Sequence, residues 1–360
     1  MSGLAAVAEA LTPWFGERLG AAGVEIVDLR RHAEGWSWQT YTMDVEWLSP
    51  ESREPSRRGY AVRVEPHDGL LAPYDIDGQY RLHRAVLDHS DVPMADLFWL
   101  EHDASVLGMP FYVMERLHGV VPVQWRGKDP TVFPSDEARR DIGLQFVDIQ
   151  ARIHGLDWRG AGLALPGAGH DDPAASAHHW IDHWARYYAD SVLVELPLLR
   201  YAIAWLRANV AWSGSLTLCH GDYRIGNFML RDGVVNGIFD WELAHVSDPV
   251  EDIAYSGLPL FRGRNPLLSQ LLARDEYFAR YEERTGLRVD PEVFHFWTVL
   301  GLVKAAASHL RGSRAFEDGR IGDLRLAAMG HQVQYVLRHI ASELGLEPGR
   351  RHDRALDRPW

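Results

Sequence analysis

The chain has 360 residues, of which 46% are hydrophobic and 24% charged, a composition typical of a globular protein with a sizeable core. It contains no run of eighteen apolar residues, so we expect no membrane span, and its net charge of −13 argues against a nucleic-acid partner. The single cysteine, Cys219, excludes an internal disulfide and fits a reducing compartment, so we expect a cytoplasmic protein.

The first third of the chain alternates between helix and strand patterns. Apolar residues recur at helical spacing over 4–19 and 75–89, whereas the intervening segments show the alternation typical of strands. The polar segment 49–59 contains two prolines and is predicted to be a hairpin loop. The predicted strands lie near 24–29, 37–47, 60–64, 96–101 and 110–116.

From residue 135 onward the pattern becomes mainly helical. Residues 136–154 place Ile142, Phe146, Ile149 and Ile153 close to helical spacing. Two short strands are expected around residues 216–239. The further predicted helices cover 175–190, 194–210, 266–285, 291–311 and 323–344.

The segment 218–251 carries the strongest chemical signal. His220, Gly221 and Asp222 are followed by Asn227 five residues after the aspartate, and Asp240 follows a short hydrophobic run. Phosphoryl transfer requires a carboxylate that accepts or orients the proton of an attacking hydroxyl. It also requires an amide oxygen and a second carboxylate to hold magnesium on the phosphates. The order and spacing match the catalytic loop of protein kinases, in which an aspartate precedes an asparagine by five residues.

The strings HGDYRIGN and FDWELAHVSDPVEDIAY resemble the aminoglycoside phosphotransferase and choline kinase superfamily. They look most like the subgroup related to the kinase-like region of acyl-CoA dehydrogenase members ten and eleven. The resemblance extends from about Gly35 to about His309. It implies an ATP- or GTP-dependent transfer of phosphate to a small-molecule hydroxyl, with Mg²⁺.

The resemblance also implies an α+β, bilobal protein-kinase-like fold. A small β-rich N-lobe is expected over residues 1–117, and a larger, mostly helical C-lobe over 118–346. Residues 347–360 are charged and contain a glycine and a proline, so they are predicted to be a flexible tail.

Within the motif, Asp222 is the expected base or hydroxyl-orienting group, and Asn227 and Asp240 are the expected magnesium ligands. Arg224 either faces a phosphate or an anionic substrate, or is a solvated arginine; the sequence favours neither. His220 is expected to shape the loop through hydrogen bonds.

Four residues beyond Asp240 have supporting or undecided roles. Glu242 either reaches the metal through water or caps a helix. The resemblance implies that Asp248 and Asp252 brace the loop, and His245 is expected at the surface.

In the small lobe, Ser37 lies in a segment, Gly35–Tyr41, that matches the nucleotide-binding loop of the family. Arg63 lies where protein kinases place the lysine that holds the α- and β-phosphates. A glutamate is expected to orient this cation, but the matching residue is Gln79. Asp75 or Asp77 is a possible substitute.

The segment 111–119 matches the hinge of the family. By that resemblance, Met114 lines the adenine pocket, and the Glu115 carbonyl and Leu117 amide pair with the purine edge. An ordinary apolar strand followed by a glycine turn would give the same pattern.

Two alternative functions and one candidate zinc site also follow from the sequence. A kinase-like fold that binds nucleotide or another ligand without turnover is favoured by Gln79. A protein kinase is disfavoured because the H-R-D, D-F-G and A-P-E motifs are absent. His179 and His183 have the i, i+4 spacing of a zinc site, but no third ligand is evident in the sequence nearby.

The resemblance to the superfamily implies that the acceptor binds to the helical lobe. That region is rich in aromatic residues and lacks an evident acidic cluster, which favours a hydroxylated acyl, lipid-like or macrolide-like compound over a classical aminoglycoside. The aromatic residues concerned are Trp158, Trp180, Trp184, Tyr187, Tyr188, Trp205, Phe294, Phe296 and Trp297.

Overall fold

A computed structural model describes residues 3–32, 38–49, 51, 54–67, 71–123 and 132–346. These residues form two compact units. The first contains the described residues up to Leu87 and those from Met94 to His118. The second contains Asp88–Pro93 and the described residues from Gly119 onward.

The first unit is built around a five-stranded sheet. The strand order is β1-β2-β3-β5-β4, and every neighbouring pair is antiparallel. Its elements are α1 (Gly3–Leu19), β1 (Glu25–His32), β2 (Gln39–Leu48), β3 (Pro55–Val64), α2 (Ile76–His89), β4 (Leu97–Glu101) and β5 (Phe111–Glu115).

Alternation along the strands divides the first unit into two apolar clusters. Leu11 and Phe15 of α1 pack with side chains such as Met43, Val62 and Val113. A second cluster consists of Trp38, Ala61, Ile76, Ala95, Leu97, Tyr112 and Met114. Because successive strand residues point to opposite faces, Ala61 and Val62 belong to different clusters.

Strand β3 begins earlier than the polar sequence predicts. Residues 55–59 were expected in a loop, but they pair with β2 from Leu48↔Pro55 to Asp44↔Gly59. Arg57 lies 2.6 Å from Asp44 and 2.9 Å from Glu46, both on the neighbouring strand. Opposite charges facing each other across two strands extend the hairpin through a polar segment.

The second unit is mostly helical and contains two small antiparallel sheets, β6–β9 and β7–β8. The β-rich first unit and the mostly helical second unit confirm the predicted fold class. The elements of the second unit are α3 (Asp136–His154), α4 (Pro173–Ser191), α5 (Pro197–Ala208), β6 (Thr217–Cys219), β7 (Phe228–Arg231), β8 (Val234–Ile238), β9 (His245–Ser247), α6 (Val250–Ser256), α7 (Pro259–Arg262), α8 (Arg274–Thr285), α9 (Pro291–Glu317) and α10 (Leu324–Glu343).

The helix predicted over 266–285 was too long. It begins only at Arg274, because Leu268 and Leu272 form an antiparallel bridge around a tight turn. Ser269 and Gln270 in that turn have φ values of 50° and 64°, which a helix cannot contain. The short helices α6 and α7 were not predicted.

Helix α9 is the central helix of the second unit. By length and composition it could cross a membrane, but 83% of its most apolar window is buried inside the fold. Its buried side chains include Trp297, Leu302 and Val303. The helix therefore has the burial of a core helix, and it carries one buried cation, Lys304.

Candidate active site

Strand β6 leads directly into the turn formed by His220, Gly221 and Asp222. Gly221 has a φ of +80°, and a Cβ atom there would lie 2.1 Å from the Leu243 carbonyl oxygen. Both the backbone conformation and the available space therefore require glycine. β9 pairs with β6, with Cys219 opposite His245, and so lies beside the turn.

His220 is fully buried and links this turn to the segment before Asp240. Its Nε2 donates to the Phe239 carbonyl at 2.7 Å, and its Nδ1 accepts from the Asp222 amide at 3.2 Å. Burial lowers the pKa of His220. A neutral ring protonated on Nε2 satisfies both bonds.

Asn227 lies at the end of a 3₁₀ turn, residues 225–227. Its Nδ2 donates to the Asp222 carbonyl at 2.9 Å and to Asp222 Oδ2 at 2.6 Å. The Phe239 amide donates to the Asn227 carbonyl at 2.8 Å. These bonds and those of His220 join the loop that carries Asp222 to the segment that carries Asp240.

Asp240 follows β8 in a left-handed conformation, with a φ of 59°. Aspartate is among the few non-glycine residues that adopt this conformation readily. Asp240 also precedes the 3₁₀ turn 241–243, in which Glu242 is half-buried.

Arg224 lies against Asp222. Its Nε is 2.9 Å and 3.0 Å from the two carboxylate oxygens, and its side chain is 23% exposed. Burial alone would lower the pKa of Arg224, but the charge of Asp222 outweighs it, with smaller contributions from Tyr255 and Asp240. Arg224 is therefore paired with Asp222 and is not a fully solvated arginine.

Asp252 of α6 holds the turn from behind. It accepts hydrogen bonds from the amides of His220 and Gly221 at 2.7 Å and 2.9 Å, and its Oδ2 lies 3.2 Å from His154 Nε2. Burial would raise the pKa of Asp252, but His154 outweighs this effect and lowers it. His154, Cys219 and Asp252 lie close enough to share an ion. Each of the three also takes part in a hydrogen bond. Cys219, for example, donates to the Asp248 carbonyl at 3.5 Å.

Asp248 connects the segment before β6 to the start of α6. Its carboxylate accepts from the amides of Ser213 and Val250. Burial raises the pKa of Asp248 to about 6.

The expectation that His245 lies at the surface was wrong. His245 is 3% exposed, and its ring lies 4.1 Å from the Trp180 ring. Its Nδ1 is 2.7 Å from the Leu243 carbonyl and its Nε2 is 3.0 Å from Glu251. Pairing between β6 and β9 brings this polar residue inside, which a single stretch of sequence does not reveal.

Three buried residues near the turn escaped the sequence analysis. Lys304 contacts the Gly221 carbonyl and Glu251, and the Tyr255 ring lies beside the Lys304 ammonium. For Lys304 the sequence did contain a signal, because it is a lone lysine in the middle of the apolar run of α9.

In the first unit, Arg63 pairs in register with Tyr112 on β5. Its guanidinium lies 5.3 Å from the Trp38 ring centroid. The Gln79 side chain makes no hydrogen bond to Arg63 or to any other described residue. Gln79 therefore does not take over the orienting role expected of a glutamate.

Neither nearby aspartate replaces the missing glutamate. Asp75 accepts from the Gly78 amide at 2.9 Å, near the start of α2. Asp77 lies 3.0 Å from His102 Nε2. Both carboxylates are thus engaged within or near α2.

The hinge residues lie at the end of β5. Met114 is buried and pairs in register with Ala61, in the same apolar cluster. The Glu115 amide donates to the Asp96 carbonyl, whereas the Leu117 amide donates no hydrogen bond to another described residue. Ser37 lies outside the described residues.

The histidines of α4 do have a third histidine nearby, contrary to expectation. The His170 ring lies 4.7 Å from that of His179, and the His179 and His183 rings are 6.5 Å apart. Burial lowers the pKa of His183 to about 4. In the described part of the chain, the nitrogens of these three rings do not converge on one point as metal ligands would.

Comparison with known proteins agrees with this geometry. The sequence matches the phosphotransferase enzyme family (APH) over residues 28–290. Acyl-CoA dehydrogenase family member 10 of mouse is 28% identical over 245 residues, 64% of this chain and 22% of that relative. The chain thus spans less than a quarter of that relative's length. The expected similarity to this group is confirmed.

Two solved structures share the fold. A candidate aminoglycoside phosphotransferase from Ralstonia eutropha has a TM-score of 0.70 at 22% identity, covering 94% of this chain and 98% of that one. A thermostable mutant of aminoglycoside phosphotransferase APH(4)-Ia, in ternary complex with AMP-PNP and hygromycin B, has a TM-score of 0.61 at 14% identity, covering 95% and 100%. The family match and the shared fold lead to one conclusion: this chain belongs to the phosphotransferase enzyme family.

Proposed function

We propose that this phosphotransferase moves the γ-phosphoryl group of ATP or GTP to a hydroxyl of a small molecule. The observation that carries the proposal is the linkage of Asp222, Asn227 and Asp240. Hydrogen bonds from the His220 ring and the Phe239 amide hold the three residues in one cluster. Pre-positioned charged and polar groups are the main contribution a protein makes to phosphoryl transfer.

The donor set fits Mg²⁺. The Nδ2 group of Asn227 is used by Asp222, which leaves the amide oxygen for a cation, and Asp240 supplies a carboxylate. Magnesium prefers oxygen ligands and takes only one or two of them from the protein. When bound, it would neutralise charge on the phosphates. Asn227 and Asp240 are therefore the proposed ligands.

Asp222 is the proposed group that orients the acceptor hydroxyl and receives its proton. Arg224 and Asn227 fix the carboxylate through charge-assisted hydrogen bonds. The remaining N–H groups of Arg224 would bind a phosphate oxygen or an anionic part of the acceptor. His220, Asp248 and Asp252 keep the loop in place.

The first unit supplies the proposed nucleotide contacts. Arg63 would hold the phosphates, Met114 would contact the base, and the Glu115 carbonyl and Leu117 amide would pair with its edge. The available Leu117 amide and the packing of Met114 beside Ala61 support this assignment. Ser37 is proposed as a further phosphate donor by resemblance to the family.

We propose a hydroxyl-bearing small molecule as the acceptor and leave open a hydroxylated acyl, macrolide or aminoglycoside compound. Six of the nine aromatic residues that favoured an apolar acceptor are buried. Tyr187, Trp205 and Phe294 are partly exposed. The similar structure of aminoglycoside phosphotransferase APH(4)-Ia holds hygromycin B together with AMP-PNP.

A second function is a kinase-like protein that binds a nucleotide or another ligand without turnover. The observation in its favour is the Gln79 side chain, which has no hydrogen bond to Arg63. The Arg63 guanidinium lies 5.3 Å from the centroid of the Trp38 ring, a contact in which a cation can be held by an aromatic face.

Calorimetric titration of ATP and GTP, with and without Mg²⁺, tests the first proposal. The wild type should bind one of the two nucleotides only when Mg²⁺ is present. Asp240→Asn should lose this magnesium-dependent binding. Asp190→Asn, an exposed change on α4, is the matched control. If Asp240→Asn retains full magnesium-dependent binding, the assigned site is wrong. If the nucleotide binds but a separate assay of the same sample detects no phosphate release, the second function is favoured.

A further inference from the structure

Lys304 is a buried cation in the middle of an apolar helix. Its side chain is 2% exposed, and its neighbours along α9 include Leu302, Val303, Ala305 and Ala306. Burying an ammonium group is costly unless it is paired and hydrogen-bonded. The groups that pair with the Lys304 ammonium therefore indicate why a lysine is present at this position.

The ammonium group lies between a carboxylate and the turn that carries Asp222. Nζ donates to the Gly221 carbonyl at 2.6 Å and lies 3.3 Å from Glu251 Oε1. It also lies 4.6 Å from the centroid of the Tyr255 ring. Lys304 thus contacts the residue directly before Asp222.

Lys304 is not the only residue that stabilises the charge of the Glu251 carboxylate. Burial would raise the pKa of Glu251, but His245 and then Lys304 outweigh that effect and hold the pKa well below its usual range. His245 Nε2 lies 3.0 Å from the same carboxylate. The Lys304 bond to the Gly221 carbonyl is thus an additional contact, directed at the loop.

Gly221 is held at both ends. Asp252 accepts from its amide at 2.9 Å, and Lys304 donates to its carbonyl. The amide is fixed from α6 and the carbonyl from α9, so the peptide group that joins Gly221 to Asp222 has one orientation. We propose that Lys304 is a positioning residue for Asp222 in phosphoryl transfer, an inference that rests on the proposed function.

Tyr255 supports the same role. Its ring contacts the Lys304 ammonium, and its phenol lies near Asp222. Burial first, and then the charge of Asp222, raises the pKa of Tyr255 well above its usual range. Lys304 therefore supports both the peptide before Asp222 and an aromatic neighbour of its carboxylate.

Two variants separate this role from support of the fold. Lys304→Met removes the donor to the Gly221 carbonyl and the ammonium group that lies beside Glu251. The double variant Lys304→Met/Glu251→Gln also removes the excess buried charge, so it should recover much of the lost stability. Neither variant replaces the bond to the Gly221 carbonyl.

The experiment measures thermal unfolding, affinity for the magnesium nucleotide, and kcat for phosphate release with water as acceptor. We expect both variants to lose about 10- to 100-fold in kcat, because small displacements of a reacting group have effects of this size. Affinity should change by less than about threefold, which is under 1 kcal/mol. Arg314→Met breaks a partly exposed pair between α9 and Asp318, the residue that follows it, and should change neither kcat nor nucleotide affinity.

Wild-type kcat in Lys304→Met, or recovery of kcat together with stability in the double variant, would overturn the positioning role and leave the proposed function intact. If the wild type neither binds the magnesium nucleotide nor releases phosphate, the proposed function fails, and the role of Lys304 fails with it. Low kcat with retained affinity in the stable double variant supports the role.

Discussion

At the scale of single residues, Gly221 has both a left-handed backbone and no space for a side chain. Gly221→Ala would bring a Cβ to 2.1 Å from the Leu243 carbonyl oxygen. We expect the free energy of unfolding to fall by roughly 2–4 kcal/mol, from strain and the collision together, and phosphate release to fall with it. Chemical denaturation followed by circular dichroism measures the loss.

Gly233→Ala is the matched control for that change. Gly233 has a φ of +79°, but a Cβ there meets nothing within 4 Å. The free energy of unfolding of Gly233→Ala should therefore fall only by the cost of the left-handed backbone, about 1 kcal/mol. Equal losses for the two variants would mean that the turn at Gly221 can relax.

Glu343, at the end of α10, makes stability depend on pH. Burial raises its pKa to about 8, and Arg262 opposes that shift only in part. Below pH 4.5 the carboxyl is protonated in both the folded and the unfolded chain. Between the unfolded and folded pKa values, only the unfolded chain releases the proton, so this residue's contribution to stability falls as pH rises.

Glu343→Gln should remove that dependence. The difference in the free energy of unfolding between the variant and the wild type should shift in favour of the variant by on the order of 2–4 kcal/mol as the pH rises from 4 to 8. Glu317→Gln, an exposed change at the end of α9, should gain nothing. A pH-independent difference between Glu343→Gln and wild type would show that Glu343 is ionised in the folded chain.

At the scale of elements, Asp252 connects α6 to the turn after β6. Asp252→Asn removes the charge that accepts from His220, Gly221 and His154. We expect the free energy of unfolding to fall by about 2–4 kcal/mol near pH 7. Because folding lowers the pKa of Asp252, its stabilising effect is present above the unfolded value of 3.8 and is lost as pH falls through the folded pKa.

The difference between Asp252→Asn and wild type should therefore be larger at pH 7 than at pH 3. Urea unfolding at both pH values checks this. Asp182→Asn, which breaks an exposed pair with Arg207, is the control and should cost less than about 1 kcal/mol. If the two variants behave alike, α6 does not hold the turn through Asp252.

Elements with clear periodicity were predictable from sequence, and those fixed by distant partners were not. Helix α3 follows an apolar stripe and a capping residue, Ser135, whose side chain accepts from the Ala138 amide. The first half of β3 is polar, and its pairing depends on cross-strand contacts of Arg57. The turn with Ser269 and Gln270 has no local signal strong enough to interrupt the helical pattern.

The same distinction holds for the candidate site. The spacing of Asp222, Asn227 and Asp240 identified residues that the structure brings together, because all three lie within one short segment. Lys304 and Gly221 are 83 residues apart, and their contact depends on how α9 packs. The burial of His245 likewise depends on the pairing of β6 with β9.

At the scale of the whole molecule, the two compact units carry different parts of the proposed reaction. The proposed nucleotide residues Arg63, Met114, Glu115 and Leu117 belong to the first unit. The proposed hydroxyl-orienting and metal-binding residues belong to the second. Family membership accounts for this combination, whereas a shared fold does not identify the acceptor.

Asp222→Asn tests the central claim most directly, with nucleotide binding and phosphate release measured on the same sample with Mg²⁺. This nearly isosteric change keeps the side chain's volume but removes the carboxylate that we propose as the proton acceptor. We predict a loss of about 10²–10⁴-fold in phosphate release and a change of less than about threefold in nucleotide affinity. Phosphate release by Asp222→Asn at the wild-type rate would contradict the assignment of Asp222, and with it the proposed mechanism.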